Sequence, residues 1–426
     1  MSKVIRRRWV SDFSGPSKSD RRSCDYEAYV PDLLTERCFA LDETVAADVA
    51  EAEAVIARLN AEGTSLVNTE ALARMLLRAE AVASSRIEGL DIGPRRLLHA
   101  EVERGLGASS SDITATEVLS NIDAMMYGIE RINTGDEITV DLMLEIHRRL
   151  LAGTRLAEHG GRFRTVQNWI GGSSYNPCAA AFVPPPPERV EDLISDLVSF
   201  ANADRLPTVA QAAIAHAQFE TIHPFIDGNG RTGRALIHLV LRRRGLASRV
   251  LPPVSLILAT WSKDYITALT GFRYRGAATG QDAREGTSRW ISQFSVACMR
   301  AVSDAAEFED RAQRIQDTWR ERLGTVRTNS ATDLLLTALV GAPVVTVNSA
   351  AALIGRSYPA ASNAISALVE AGVLRQVTIG RRNRAFEAPE IIAAFVGLER
   401  QLASPDGDTR TSEPVRRVPR RPQAAR

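Results

Sequence analysis

Several protein classes are excluded by what this sequence has little of. Only three of its 52 basic residues are lysine and no GxxxxGK[S/T] element occurs, so a lysine-based phosphate loop is excluded. No uninterrupted apolar run approaches the roughly 18 residues that mark a membrane-spanning helix. The amino-terminal segment MSKVIRRRWVSDFSG is basic but has no apolar stretch after it, which argues against a secretory signal. We therefore expect a cytoplasmic protein without membrane contact.

Cysteine is scarce as well. The four cysteines lie far apart without CxxC spacing: Cys24, Cys38, Cys178 and Cys298. This pattern argues against zinc sites and disulfide frameworks and predicts isolated thiols in a reducing compartment. A net charge of +1 makes no case for nucleic-acid or membrane binding by the molecule as a whole. A chain of 426 residues is long enough for two or three domains.

Apolar residues at three- and four-residue spacing predict a mainly α fold. The predicted helices cover residues 43–62, 69–88, 114–131, 139–152, 187–203, 208–222, 231–245, 255–300 and 301–325. Gly89 supplies the stop of the second of these helices. Residues 1–40 lack periodicity and are expected to be an arm, partly disordered, while the Gly- and Pro-rich residues 164–187 suit a loop or short hairpin.

The carboxy-terminal part changes character. Helices are predicted at 331–341, 347–355 and 359–372, and VLRQVTIGRRNRAFEA then suits two strands joined at Gly380. Three helices followed by a basic hairpin is the winged-helix order. The hairpin and the disordered tail after it are rich in arginine: Arg375, Arg381, Arg382 and Arg384, then Arg416, Arg417, Arg420 and Arg421. DNA binding through this module and a protein-interaction or spacer role both remain open.

The segment HPFIDGNGRTGR, residues 223–234, combines four features of a phosphate site: a histidine base, a carboxylate, a glycine nest and two spaced arginines. Pro224 biases His223 away from helical backbone angles, so a helix should end there. Gly228, Asn229 and Gly230 tolerate positive φ, which lets several backbone N–H groups point at one anion. The helix that follows adds its positive amino terminus.

The charged side chains of this segment also fit a phosphate site. Arg231 and Arg234 are three residues apart, hence on one helix face, and suit a polyphosphate. Asp227 would repel phosphates unless a cation such as Mg²⁺ lies between them. The reference pKa of His223 suits proton transfer near neutrality. The alternative is an ordinary helix connection with a solvent histidine, and it does not account for the four features together; Phe225 and Ile226 are expected to pack into the core.

These residues resemble the Fic (filamentation-induced-by-cAMP) family. Its pattern HxFx(D/E)GNGRxxR is matched by His223, Phe225, Asp227, Gly228, Asn229, Gly230, Arg231 and Arg234. The resemblance covers about residues 40 to 300. It implies an all-helical core that transfers AMP from ATP to a Tyr, Thr or Ser hydroxyl of a protein target.

The resemblance also implies roles for single residues. His223 would deprotonate the hydroxyl, Asp227 would hold Mg²⁺, and the amides of residues 228–230 would receive phosphate oxygens. Arg231 and Arg234 would bind the β- and γ-phosphates. Gly230 stands where the related Doc kinases have lysine, which favours adenylylation over phosphorylation.

Upstream, Ser84-Ser85-Arg86-Ile87-Glu88-Gly89 resembles the inhibitory motif (S/T)xxxE(G/N) in the class II arrangement of that family. Ser84, Glu88 and Gly89 are its defined residues. The motif implies that Glu88 pairs with Arg234 where the γ-phosphate would lie; the same glutamate can also orient water for AMP removal. The alternative is an exposed glutamate at a helix end.

Residues 164–187 resemble the β-hairpin flap of the family, which pairs with the target segment. No catalytic role is assigned to Ser173, Ser174 or Tyr175. His147, His159 and His216 are expected to be structural.

The predicted domains are a helical region at 1–110 with the inhibitory helix at about 69–89, a Fic core at 111–300, a helical linker at 301–330, a winged-helix domain at 331–396 and a basic tail at 397–426. Two functions follow. The first is a self-inhibited protein adenylyltransferase, with self-modification and a homodimer as further expectations. The second is a DNA-binding regulator in which the Fic domain responds to nucleotide.

Overall fold

The computed structural model describes residues 1–61, 66–107, 112–379 and 383–401, and this part of the chain is mainly helical, as predicted. Its α-helices are α1 (Glu43–Ala61), α2 (Leu66–Ile87), α3 (Pro94–Gly105), α4 (Ile113–Arg131), α5 (Val140–Leu150), α6 (Val190–Asn202), α7 (Thr208–Ile222), α8 (Asn229–Arg243), α9 (Val254–Thr260), α10 (Ser262–Phe272), α11 (Gln281–Leu323), α12 (Ala331–Ala338), α13 (Val347–Ile354), α14 (Tyr358–Glu370) and α15 (Pro389–Gln401). The strands are β1 (Lys3–Trp9), β2 (Cys24–Val30), β3 (Val344–Val345), β4 (Arg375–Ile379) and β5 (Asn383–Glu387).

Helix α7 lies at the centre of the helices that surround residues 223–234, and it is buried along its whole length. Its alanines let α6, α8 and α11 approach closely, because a small side chain keeps the helix axes near each other. Trp290 of α11 donates its indole N–H to the Ala213 carbonyl at 2.7 Å. The loop after α7 therefore projects from a rigid base.

The amino-terminal segment is more regular than predicted. β1 and β2 pair antiparallel, with Val4 opposite Tyr29, and Tyr29 N–H donates to the Val183 carbonyl at 2.9 Å. The expectation of an irregular arm was wrong for these residues. Three consecutive arginines in β1 hide the alternation of a half-buried strand, because two of them face solvent together with their acidic partners on β2.

Cys24 and Cys178 form a disulfide with Cα atoms 5.7 Å apart, so the prediction of isolated thiols was wrong for this pair. Their 154-residue separation hides the contact from sequence, since only the fold brings the amino-terminal hairpin to residues 164–187. Cys38 and Cys298 are free. The disulfide removes the cysteine argument for a reducing compartment. No helix in the described ranges is long and apolar enough to cross a membrane.

Several boundaries differ from the predicted ones. The predicted helix at 255–300 is divided into α9, α10 and the start of α11, and α11 then continues across residue 300 to Leu323. The boundary between the Fic core and the helical linker at 301–330 thus falls inside one helix. Two further helices, α3 and α15, begin at proline, a favoured first helical residue, and α15 extends into the predicted tail.

The carboxy-terminal unit contains α12 to α14 and a three-stranded antiparallel sheet in the order β3-β5-β4, with Val377 opposite Ala385. Gly380, Arg381 and Arg382 of the predicted wing lie outside the described residues, as do the arginines predicted for the tail. Of the other two basic residues of the hairpin, Arg375 donates to Glu387 and Arg384 donates to the Gln376 side chain.

Candidate functional site

The loop between α7 and α8 carries the predicted site. His223 ends α7 with a left-handed backbone, φ 50° and ψ 60°, and Gly228 precedes α8 with φ 76° and no side-chain cap. Asn229 and Gly230 were expected to share this positive φ, but both already belong to α8, which begins two residues earlier than predicted. The nest is therefore the uncapped amino terminus of a helix, whose first N–H groups have no acceptor within the helix.

The loop is held from its buried side. Phe225 is buried and stacks on His147 with ring centroids 3.6 Å apart. The Asn229 amide bonds both the N–H and the carbonyl of Phe225 at 2.8 Å, so that side chain shapes the loop. His147 bonds the Asp227 carbonyl at 3.0 Å, and burial lowers the pKa of His147 to about 4. Ile226 is 40% exposed, so the expectation that it packs into the core was wrong.

His223 is held by its backbone and leaves its ring available. Its carbonyl accepts from Arg164 Nε at 2.9 Å and from Asn168 Nδ2 at 3.2 Å. Burial, and then the positive charge of Arg273, lower the pKa of His223 to about 4. The imidazole is therefore neutral at physiological pH and can accept a proton.

Arg234 contacts the end of α2. Its Nε donates to Ser84 Oγ at 2.8 Å, and its Nη2 donates to the Ser84 carbonyl at 2.8 Å and to Glu88 Oε1 at 2.7 Å. Burial would raise the pKa of Glu88, but the charge and hydrogen bond of Arg234 outweigh it and lower that pKa. A Cβ added at Gly230 would overlap Glu88 Oε1, so this carboxylate lies against the first turn of α8. Gly89 follows with φ 85°, which turns the chain away.

Arg231 and Asp227 contact each other at the same helix end, where the Arg231 side chain is only 4% exposed. Arg231 Nη2 is 3.3 Å from Asp227 Oδ2, and the Asp227 side chain is half exposed. The Nε and Nη1 atoms of Arg231 are buried and have no hydrogen-bond partner in the described part of the chain. Unpaired guanidinium donors beside a helix amino terminus form a strongly anion-attracting surface.

Of the other polar residues named from sequence, Ser173, Tyr175 and His159 lie apart from this cluster. Ser173 Oγ donates to Asp20 at 2.6 Å, and Tyr175 is exposed. His159 lies near Glu158, with 39% of its side chain exposed. His216 is buried with its Nε2 atom 2.8 Å from the Tyr265 hydroxyl, and burial lowers the pKa of His216 to about 3.

The sequence analysis missed two charged residues beneath His223. Burial raises the pKa of Glu220 to about 7, and burial lowers that of Arg273 to about 10. Arg273 stacks over the Phe182 ring at 3.6 Å. Glu220 carried a usable signal, since it is the one acidic residue of a helix that has no lysine or arginine to pair with it. Arg273 carried none, because it reaches the site only through the turn after α10.

Comparison with known proteins agrees with this geometry. Residues 137–241 match the Fic/DOC family, and residues 46–130 match the amino-terminal part of that family. The protein adenylyltransferase fic-1 of Caenorhabditis elegans is 39% identical over 120 residues, which are 28% of this chain and 22% of that protein. The protein adenylyltransferase Fic of Culex quinquefasciatus is 33% identical over 211 residues, which are 46% of this chain and 39% of that protein.

The chain thus spans less than half the length of these two relatives. Among solved structures, a Fic family protein from Desulfovibrio desulfuricans G20 has a TM-score of 0.50 and 22% identity, and the match covers 82% of this chain and 97% of that one. This likeness concerns the fold.

Proposed function

We propose that this chain, which belongs to the Fic/DOC family by its residues 46–130 and 137–241, is a self-inhibited protein adenylyltransferase. The observation that carries the proposal is the position of Arg234, which is buried beside an uncapped helix amino terminus and already binds a carboxylate. A site that holds one anion in this way suits the phosphates of ATP.

A neutral His223 can act as the base in the transfer of AMP. His223 Nε2 accepts the proton of a Tyr, Thr or Ser hydroxyl on the target protein. The hydroxyl oxygen forms a bond to the α-phosphorus of ATP, the bond from that phosphorus to the β-phosphate oxygen breaks, and pyrophosphate leaves. The N–H groups of the first turn of α8 stabilise the charge that develops on the phosphoryl oxygens. Arg231 and Arg234 bind the outer phosphates.

Asp227 fits the Mg²⁺ that accompanies ATP. The described residues contain no group of three or more His, Cys, Asp or Glu side chains that could hold a metal alone. Mg²⁺ commonly takes one or two carboxylates and completes its shell with phosphate oxygens and water. One half-exposed carboxylate beside a helix amino terminus meets that need. Bound there, the ion would neutralise phosphate charge.

Inhibition follows from the same contacts. Glu88 binds Arg234 and lies against Gly230, where an outer phosphate would need the same donors. ATP can bind with its phosphates extended only when this carboxylate moves away, so the α-phosphorus is otherwise poorly aligned for attack. After it has moved away from Arg234, the Glu88 carboxylate can instead orient a water molecule for removal of AMP from the target.

Residues 164–187 are proposed to align the target. Ile170 N–H donates to the Phe182 carbonyl at 2.8 Å, the Ala181 and Phe182 N–H groups donate to the Ile170 carbonyl, and Ile170 and Phe182 form an isolated bridge. Such a short ladder next to His223 can accept one more extended segment. Backbone pairing would set the register of the hydroxyl with little side-chain selectivity.

Intact-mass analysis of the Glu88→Gly variant with ATP and Mg²⁺ tests the proposal. We expect one or more AMP units on the protein itself or on an added proteome. Glu88→Gly combined with His223→Ala should remain unmodified, and Glu70→Gly, which removes an exposed glutamate of α2, should behave like wild type. Modification that ignores His223, or a folded Glu88→Gly protein that binds ATP but transfers nothing, would contradict the proposal.

We also propose that residues 331–396 form a winged-helix unit, which the order of α12 to α14 and the β4–β5 hairpin supports. DNA gains no support as a partner from Arg375 and Arg384, because both side chains are engaged within the chain.

A further inference from the structure

Two buried polar groups in the last turn of α7 lack hydrogen-bond partners in the described part of the chain. They are His223 Nδ1 and Glu220 Oε1. The other carboxylate oxygen, Glu220 Oε2, lies 3.9 Å from His223 Nδ1. Glu220 lies in the last turn of α7, and His223 ends that helix with a left-handed backbone, so the two side chains meet at the end of the helix. An unpaired carboxylate beside an unpaired ring nitrogen is costly to bury unless the two groups form a hydrogen bond with each other.

The surroundings of Glu220 keep its carboxylate in place. A Cβ added at Gly233 would come within 2.6 Å of Glu220 Oε1, so α8 closes over the group. Arg273 lies above α7, with its Nη2 3.5 Å from the Glu220 carbonyl. Helix α8 therefore encloses Glu220 Oε1, while Oε2 lies on the side of His223 Nδ1.

The charged and titratable groups that act on the pair come from several elements. Glu220 interacts with Arg234 of α8, with Glu88 after α2 and with Arg273 after α10. Tyr265 of α10 and His216 of α7 lie in the same buried cluster. His223 interacts with Arg273, Glu88 and Arg164.

We propose that Glu220, in its ionised form, is the positioning residue of the catalytic base: its carboxylate accepts a hydrogen bond from the Nδ1–H of His223 and leaves Nε2 unprotonated toward the target hydroxyl. The inference rests on the proposed function. A shift of less than an ångström turns the 3.9 Å contact into a hydrogen bond, and catalytic contacts are often long before substrate binds.

The proton balance is simple. In transfer, the hydroxyl O–H bond breaks and its proton moves to Nε2, while the Nδ1 proton stays on Nδ1. The imidazolium that forms has two N–H bonds, and the Glu220 carboxylate offsets its charge as the hydroxyl oxygen binds the α-phosphorus. After pyrophosphate leaves, Nε2 returns its proton to solvent.

The first test uses the full chain with ¹⁵N-labelled histidine. The protein has six histidines, so each ring can be assigned from a His→Gln variant by long-range ¹H–¹⁵N spectra. We expect the neutral Nδ1–H tautomer for His223, and a shift toward a tautomer mixture in Glu220→Ala and Glu220→Gln. A wild-type His223 with Nε2–H, or a tautomer that ignores both substitutions, would overturn the proposal whether or not the protein transfers AMP.

The second test measures kinetics in the Glu88→Gly background. Isosteric Glu220→Gln should lower kcat by about 10- to 100-fold with the KM for ATP unchanged, because general-base catalysis typically contributes about 10²- to 10⁴-fold. Glu53→Gln is the matched control, since Glu53 accepts from the Val209 N–H at the opposite end of α7. An unchanged kcat in Glu220→Gln, or an equal loss in the control, would overturn the role. Failure of Glu88→Gly itself to transfer AMP would contradict the proposed function and leave the tautomer test to decide the inference.

Discussion

At the residue scale, the site depends on side chains that burial keeps in one charge state. His223 must be neutral to accept a proton, and Arg234 must be charged to bind an anion. Burial lowers the pKa of His223, while Arg234 retains its charge through the carboxylate of Glu88. The same low-dielectric surroundings thus prepare the base and make the guanidinium depend on a negative partner. Such a partner can be Glu88 or, in our proposal, a phosphate.

The lowered pKa values of three buried histidines lead to a prediction about pH. Burial lowers the pKa of His147 and His223 to about 4 and that of His216 to about 3. Their ring resonances in ¹H–¹⁵N spectra should therefore not titrate between pH 8 and pH 5. Because each folded pKa lies below the unfolded value near 6.5, each group contributes stability above that value and loses it as pH falls toward 4. A midpoint above pH 6 for any of the three would contradict the burial seen here.

At the element scale, α2 and α8 meet along a polar seam. Positions one turn apart on α2 face positions one turn apart on α8: Glu80, Ser84 and Glu88 against His238, Arg234 and Gly230. Glu80 and His238 are both fully buried. The seam thus aligns the helix that carries Glu88 with the helix whose amino terminus forms the candidate phosphate site. Loosening the buried end of the seam should affect its exposed end.

Glu80→Ala tests this seam. The carboxylate accepts from His238 Nε2 at 2.8 Å, from Ser255 N–H at 2.7 Å and from the Ser255 hydroxyl. Each buried donor left unpaired costs about 1–3 kcal/mol, so we expect a large loss of unfolding free energy in urea. AMP incorporation should exceed that of wild type but stay below that of Glu88→Gly. Ser255→Ala leaves the Glu80–His238 contact intact and should be milder; equal stability of Glu80→Ala and wild type would refute the seam.

The amino-terminal hairpin and residues 164–187 are joined at the same scale. Asn176 donates to the Ser19 and Asp20 carbonyls at 2.9 and 2.8 Å, beside the Cys24–Cys178 disulfide. The amino-terminal hairpin has its own β1–β2 ladder, whereas residues 164–187 contribute a single isolated bridge. Residues 164–187 therefore depend on the hairpin for order.

Thiol counting checks the pairing. Cys38 is exposed and Cys298 is buried, so a thiol reagent should label one cysteine in the native protein and two after denaturation. Reduction before labelling should bring the count to four, the number of cysteines in the chain. Labelling of all four without reductant would contradict the disulfide. Cys24→Ser with Cys178→Ser should weaken the order of residues 164–187, visible as faster amide exchange there.

At the scale of the whole molecule, the C-terminal unit packs against the helices that carry the site. One continuous apolar core includes Leu76 of α2, Trp319 of α11 and Leu368 of α14. Arg78 of α2 donates to the Gly341 carbonyl at 3.0 Å, and a Cβ added at Gly341 would meet the backbone of Ala71. The unit is therefore a structural neighbour of α2.

Glu387→Ala tests this packing. Glu387 is only 1% exposed. Its carboxylate accepts hydrogen bonds from Arg95 of α3 at 2.8 and 3.0 Å and from Arg375, and it contacts His99 at 3.1 Å. Removing it leaves the Arg95 and Arg375 cations facing each other, and because both are more than half exposed, the loss of unfolding free energy should stay below the about 3–5 kcal/mol of a fully buried pair. We expect a single unfolding transition in calorimetry, shifted to lower temperature. Arg384→Ala at the exposed hairpin should change little, and a second, separate transition for residues 331–401 would contradict the shared core.

Local sequence patterns are enough to predict the helical fold and to indicate a phosphate site in the loop. Three- and four-residue spacing of apolar residues indicates which face of a helix is buried. The run from His223 to Arg234 is local, so its residue types and their order can be recognised without a structure. Contacts between distant segments are different. The Cys24–Cys178 disulfide, the Arg273 charge near His223 and the continuity of α11 depend on how helices pack, and no local pattern encodes a packing distance. The resemblance to the Fic family implied the contact of Glu88 with Arg234, but its geometry depends on the packing of α2 against α8, and the enclosure of Glu220 beside His223 depends on the packing of α8 over α7.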